Sequence, residues 1–257
     1  MQLTTSLVPG ALGADAENLG ADAENDDRVD AAIVIDVLRA SSVIVTGLAS
    51  GARQVITTRG IDEAVGIASQ RSEKPLLCGE RGCVKIEGFD LGNSPDQYTR
   101  EIVFGRDLVL TTTNGTRAIE SATQAKRVLI GCFLNLSAVV QRLDPDWHVR
   151  LVCAGTAGAV TLEDVLFAGA VVTLCETRCA VQSDDASVVA RQTWESWFGN
   201  AGMPSAPALE RSLRESLGGR NLLKLGFGAD IRRCAQIDVM GVVPERFAES
   251  PALFALP

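Results

Sequence analysis

The chain has 257 residues, 46% of them hydrophobic, and a formal net charge of −8. That length and apolar content are enough for a full core and exclude a disordered chain. The acidic balance, with no basic stripe, argues against nucleic acid and anionic membrane as partners and leaves open a small anionic substrate met by local arginines.

Along the chain, residues 3–8 read as an edge strand. LGADAEN then occurs twice in tandem, at 12–18 and 19–25. Small and acidic residues have little to pack, so residues 10–30 are expected to form a solvated surface insertion in one α/β domain spanning 1–257. Ala31–Ile35 is an unbroken apolar run, as in a strand buried on both faces. It leads through Asp36, Arg39, Ser41 and Ser42 into an apolar helix ending at Gly51. Further strands are predicted at 54–58, 75–78, 108–112, 128–132 and 149–153, with helices at 61–71, from Ser94-Pro95, around Arg117, at 135–143 and at 162–175. Beyond Asp184 the pattern gives helices at 186–198, 208–217 and 220–235, then a last strand at 239–243. This alternation predicts a three-layer α/β/α fold with a mostly parallel or mixed sheet. The strand–polar loop–apolar helix layout of 33–51 recurs at 151–170, which leaves an internal duplication open.

Four polar loops follow predicted strands: Asp36 to Ser42, Gly79 to Gly82, Thr111 to Arg117, and Ala154 to Gly158. In a parallel sheet such loops emerge at one edge and can converge on one pocket. Each alone has an ordinary reading, since Thr-Asn-Gly-Thr is a common turn and Glu80-Arg81 suits a surface ion pair. Together they supply glycine turns and three arginines (Arg39, Arg81, Arg117), the groups that hold phosphate, sulfonate or carboxylate. Asp36, Glu80, Asp90, Glu163 and Asp164 lie in or beside the loops. Mg²⁺ needs only one or two such carboxylates with substrate oxygens and water. Glu163 and Asp164 equally suit the first turn of a helix.

Other chemistries lack their residues. His148 is the only histidine, which removes zinc and histidine-phosphatase sites and leaves no recognisable serine triad. There is no Cys-x5-Arg loop, no phosphate-binding GxxxxGK[ST], no dinucleotide fingerprint and no paired-aspartate nucleophile at Asp36. Seven scattered cysteines with no CxxC, and no leader or membrane-length run, predict a reduced, cytoplasmic protein. The apolar helix at 162–175 suggests a homo-oligomer, expected to be a dimer.

With these residues in view, the sequence resembles the 2-phosphosulfolactate phosphatase family. The resemblance rests on IVIDVLRASSVIVTGLASGA (33–52), CGERG…GFDLGNSP (78–95), LTTTNGTRAI (110–119), GCFLN (131–135), VCAGTAGAVTLEDVLFAGA (152–170) and LGFGADIRRCAQIDVMGVVP (225–244). The doubled LGADAEN and the 181–220 region depart from it. It implies Mg²⁺-dependent hydrolysis of (2R)-O-phospho-3-sulfolactate to (2R)-3-sulfolactate and phosphate, a step associated with coenzyme M biosynthesis. On that reading Asp36 holds Mg²⁺ with Glu80 or Asp90. Arg39, Arg117 and the amides around Asn114-Gly115 stabilise the phosphoryl group. Arg81 takes the carboxylate or sulfonate, while Ser41, Ser42, Thr113, Thr116 and Gly155 complete the anion site. Asp164 or Asp230 assists water, or Asp36 attacks directly. The alternative is a non-catalytic module binding a small phosphorylated or sulfonated hydroxy acid.

Overall fold

A computed structural model of the chain describes residues 1–10, 29–199 and 202–257. The tandem LGADAEN repeat, and with it most of the predicted insertion, lies outside the described residues. In chain order the first half runs β1 (Gln2–Ser6), β2 (Ala31–Ile35), α1 (Ala40–Ala49), β3 (Gln54–Thr58), α2 (Ile61–Ser69), β4 (Leu76–Arg81), β5 (Val84–Lys85), α3 (Arg100–Val103), β6 (Asp107–Thr111) and α4 (Gly115–Ser121). The second half runs β7 (Arg127–Gly131), α5 (Leu136–Gln141), β8 (His148–Cys153), α6 (Leu162–Arg178), β9 (Gln182–Ser183), α7 (Asp185–Phe198), α8 (Ala206–Glu215), α9 (Leu217–Lys224), α10 (Gly228–Cys234), β10 (Glu245–Glu249) and β11 (Ala252–Ala255).

The strands form one mixed sheet in the order β5-β4-β6-β3-β11-β10-β7-β2-β8-β1-β9. Two parallel blocks, β4-β6-β3 and β7-β2-β8-β1-β9, are joined by the antiparallel β10–β11 hairpin, which pairs with β7 on one side and β3 on the other. Every residue of β2 is buried. Ile33 and Ile35 enter a core with Leu166 and Phe167 of α6, whereas Ala32 and Val34 enter a second core with Val43, Ile44 and Leu48 of α1. Helices thus cover both faces, and no alternation survives in β2. Phe167 meets Phe133 edge-on with ring centroids 5.3 Å apart; truncating it to alanine would cost about 3–5 kcal/mol.

The second core draws on both parallel blocks, with Val34, Ile130 and Val152 from one and Val55, Leu108 and Leu110 from the other. Helix α1 lies between them. A Cβ on its Gly47 would sit 2.9 Å from Leu108 Cδ1, so α1 packs closely on β6 at this position. The sheet curls around this helix, which brings the carboxyl ends of β2 and β6 together although β3, β11, β10 and β7 stand between them.

Several predicted elements are corrected. The strand expected at 239–243 is irregular; its backbone is held by Met240 N donating to Leu134 O at 2.9 Å and by Asn135 Nδ2 donating to Val242 O at 2.9 Å. Pro244, with no N–H, precedes the actual strand. The helix expected at 220–235 is two, α9 and α10, parted at Gly226 with φ +83°. Helix α6 is covered by α7, with Ala190 and Trp194 fully buried against it. Its apolar surface therefore gives no ground for a dimer. No helix among the described residues is long and apolar enough to cross a membrane.

Candidate active site

Asp36 follows β2 and closes the turn into α1. Ala40 N donates to its Oδ1 at 3.1 Å, its own N–H donates to Ser41 Oγ at 2.9 Å, and Ser41 N returns a bond to Asp36 O at 2.9 Å. Ser42 Oγ donates to Val37 O at 2.9 Å. Both serines are buried within the turn, so they shape the site from behind and do not line it. Asp36 Oδ2 accepts no hydrogen bond from the described residues. Gly115 leaves it room: a Cβ there would lie 3.0 Å from Asp36 Oδ2 and 2.7 Å from Ala40 Cβ.

Glu80 stands near the end of β4. Its Oε2 accepts from Cys83 N at 2.7 Å and its Oε1 from Thr113 N at 2.9 Å, which pins the β4 and β6 ends to each other. Asp164 similarly ties two other loops, its Oδ1 accepting from Val37 N at 2.9 Å and its Oδ2 from Gly155 N at 3.0 Å and Thr161 Oγ1 at 3.2 Å. Gly155 has φ +62°, and a Cβ there would strike Ala159 O. With these bonds Asp164 ties the Val37 and Gly155 amides and the Thr161 hydroxyl together behind the cleft.

Arg39 is buried, and its Nη1 is ion-paired with Asp230 and donates to Ser94 Oγ at 3.2 Å. Its Nη2 donates to Cys83 O at 2.8 Å, and its guanidinium lies 4.7 Å from the centre of the Phe227 ring. Ser94 Oγ also donates to Asp230 Oδ2 at 2.8 Å. Asp230 is thus the counter-charge of Arg39.

Together these elements enclose a cleft of about 370 Å³ lined by Asp36, Arg39, Glu80, Asn93, Thr112, Thr113, Asn114, Thr156, Asn221 and Lys224, with Leu38, Leu222 and Leu225 as apolar wall. This is the size of a small-molecule site. Asn114 Oδ1 accepts from Ala157 N at 3.3 Å, leaving its Nδ2 as a donor. Burial, then the neighbouring Asp164 charge, push Asp36 up to about 7. Burial and Glu163 push Asp164 up to about 7. Glu163, raised to about 7 chiefly by burial, packs so closely on Gly218 that a Cβ there would collide with its Oε1. Its Oε2 is buried with no hydrogen-bond partner, as is Asn93 Oδ1.

The structure brings Asp36, Arg39, Glu80, Thr113 and Asn114 into the cleft and sets Gly115, Gly155 and Asp164 directly behind it. Other expected residues lie elsewhere. Asp90 is exposed and does not line the cleft; its carboxylate accepts from Leu77 N at 2.8 Å at the opposite end of β4. No group of three histidine, cysteine or carboxylate side chains among the described residues is arranged to hold a metal alone. Arg81, Arg117 and Thr116 line a neighbouring cavity, with Thr116 Oγ1 turned inward to Thr58 O at 3.1 Å. Sequence reasoning missed Asn93, Asn221 and Lys224. The signal for the last two was their three-residue spacing, which puts both on one helix face.

A family model described as 2-phosphosulpholactate phosphatase matches residues 19–248. Among relatives, a protein of Thermotoga petrophila called "Probable 2-phosphosulfolactate phosphatase" is 42% identical over 213 residues, 83% of this chain and 87% of that one. One of the same description from Pseudothermotoga lettingae is 41% identical over 212 residues, 82% of this chain and 87% of that one. Another, from Caldanaerobacter subterraneus, is 37% identical over 215 residues, 83% and 86% respectively. The matched stretch carries every residue that lines the cleft, so the chain belongs to the 2-phosphosulpholactate phosphatase family.

Proposed function

We propose that the chain is a Mg²⁺-dependent phosphatase that hydrolyses (2R)-O-phospho-3-sulfolactate to (2R)-3-sulfolactate and inorganic phosphate. The observation that carries this is a cleft in which Asp36 and Glu80 share space with amide and hydroxyl donors while two more carboxylates sit behind. So many acids around one buried guanidinium, itself committed to Asp230, call for a further positive charge. The donor set fits Mg²⁺, a hard cation that keeps several waters. The uncommitted Asp36 Oδ2 and the unpartnered buried Asn93 Oδ1 support the same reading. Asp36 and Glu80 would hold the ion, with Asp90 excluded by its position. When bound, it neutralises charge on the phosphoryl oxygens and orients water.

The chain's own residues do the rest. Asn114 Nδ2 and the Thr113 hydroxyl would donate to a phosphoryl oxygen, and Arg39, packed on Phe227, lines the same cleft. Such transfers depend mostly on positioning and electrostatics. Water adds to phosphorus, the P–O bond to the C2 oxygen breaks, and the hydroxy acid leaves with a proton. Lys224, exposed at the mouth, adds a cation for an anionic substrate. A non-catalytic anion-binding module would not need clustered carboxylates, which repel anions in the absence of a metal. Seven free cysteines support a reducing compartment such as the cytoplasm.

Phosphate release with Mg²⁺ and with EDTA tests the proposal. Activity is expected only with the ion, and Asp36→Asn is expected to lower kcat by about 10²-fold or more. Unchanged turnover in that variant would overturn the placement of the reaction.

A further inference from the structure

Beside the cleft, and separated from it by the shared Thr112 and Thr113, is a second cavity of about 390 Å³ lined by Arg59, Arg81, Arg117, Thr116 and Glu120. It arises from strand geometry: consecutive side chains leave a strand on opposite sides, so at the end of β4 Glu80 faces the cleft and Arg81 the second cavity. Three guanidiniums meet one carboxylate there, in a chain whose net charge is −8. Glu120 is already ion-paired with Arg59. Arg81 is held in place by bonds to Glu80 O at 2.7 Å, Arg59 O at 3.0 Å and Thr111 Oγ1 at 3.0 Å, yet retains unused N–H groups. The Arg117 guanidinium has no partner among the described residues.

We infer that this cavity is a second oxyanion site, taking a tetrahedral sulfonate, sulfate or phosphate on Arg81, Arg117 and Arg59, distinct from the position of the reacting phosphoryl group. A planar, multi-donor guanidinium cluster suits the three oxygens of a sulfonate better than a single ammonium does. The occupant is either the remote anion of the substrate, reaching over the Thr112-Thr113 lip, or a free oxyanion. In the first case this inference rests on the proposed phosphatase reading; in the second it stands without it.

Calorimetric titration of the full chain with sodium sulfate, in EDTA at constant ionic strength, tests the site without any turnover. Wild type is expected to bind one sulfate per chain, Arg117→Ala and Arg59→Ala to weaken it by about tenfold or more each, and Asp36→Asn to leave it unchanged. The source is read from kinetics. If the substrate's sulfonate occupies the cavity, Arg117→Ala raises KM for phosphosulfolactate but not for O-phospholactate, which has a methyl in place of the sulfomethyl group, and sulfate competes with the former. If a free oxyanion occupies it, sulfate alters the rates on both substrates without competing. No sulfate binding, or binding indifferent to both arginines, overturns the inference whatever the fate of the phosphatase reading.

Discussion

The buried carboxylates make the metal-free protein's stability depend on pH in a direction opposite to ordinary acid denaturation. Asp36 is raised from 3.8 to about 7 by burial and by Asp164, Asp164 from 3.8 to about 7 by burial and by Glu163, and Glu163 from 4.5 to about 7 chiefly by burial. In the unfolded chain each returns to its ordinary value. The folded state therefore binds more protons between about pH 4 and 7, and stability falls as pH rises through that window. One carboxyl carried from 3.8 to about 7 accounts for a loss on the order of 4 kcal/mol. For a chain of this size that corresponds to a fall in Tm of roughly 10 °C. Asp30 and Asp107, both lowered from 3.8, lose their stabilising effect only as pH falls below about 4 and do not mask the trend. Thermal melts in EDTA from about pH 5.5 to 8 should show the decline, and Mg²⁺ should raise Tm more at the upper end, where protons no longer compete for the ligands. A Tm that is flat or rises with pH in EDTA would refute the account of the cluster, as would an Asp36→Asn variant with an unaltered slope.

Gly115→Ala should destabilise by about 1–3 kcal/mol and lower kcat, because the added Cβ would stand 2.7 Å from Ala40 Cβ and 3.0 Å from Asp36 Oδ2; chemical denaturation and phosphate release measure the two effects. Asp230→Ala removes the partner of a buried guanidinium and should cost about 3–5 kcal/mol, visible as a lower urea midpoint; an unchanged midpoint would mean that Arg39 is held by its other contacts. Asp90→Ala should leave Mg²⁺-dependent turnover intact and cost only about 1 kcal/mol through the lost bond to Leu77 N; a higher Mg²⁺ requirement would restore Asp90 as a ligand.

Much of the fold is legible from local pattern. The apolar run of β2, buried on both faces, and the helix signal at Ile61 to Ser69 each have one satisfactory conformation. What is not legible is long-range. The β10–β11 hairpin contains Arg246, Glu249 and other polar residues with weak alternation, and it is a strand pair because it bridges β7 and β3. Likewise β4 runs on through Gly79, Glu80 and Arg81, residues poor in strand propensity, because β6 pairs along it and Glu80 pairs with Lys85 of β5. The break at Gly226 is a single positive φ inside an otherwise helical pattern.

The same distinction runs through the site. Asp36, Glu80 and Asn114 are legible because carboxylates and small donors at the carboxyl ends of buried strands have little structural reason to be there. The roles of Asp164, Asp230, Ser41 and Ser42 are not, because a buried polar side chain that folds a loop and one that meets a ligand are the same residue types; only their hydrogen-bond partners separate them. Asp164 satisfies two backbone amides and a hydroxyl, whereas Asp36 keeps one oxygen free. Spacing could not place Arg39 and Arg117 in different surroundings either. That difference comes from the curl of the sheet around α1, which turns the end of β2 toward the end of β6 and leaves the exposed flank of α4 facing the neighbouring arginines. Helix α1 packs closely against that curled sheet at Gly47, where a Cβ would stand 2.9 Å from Leu108 Cδ1, and the turn into its N-terminus carries Asp36 and Arg39 to the cleft while Arg117 stays on the neighbouring face.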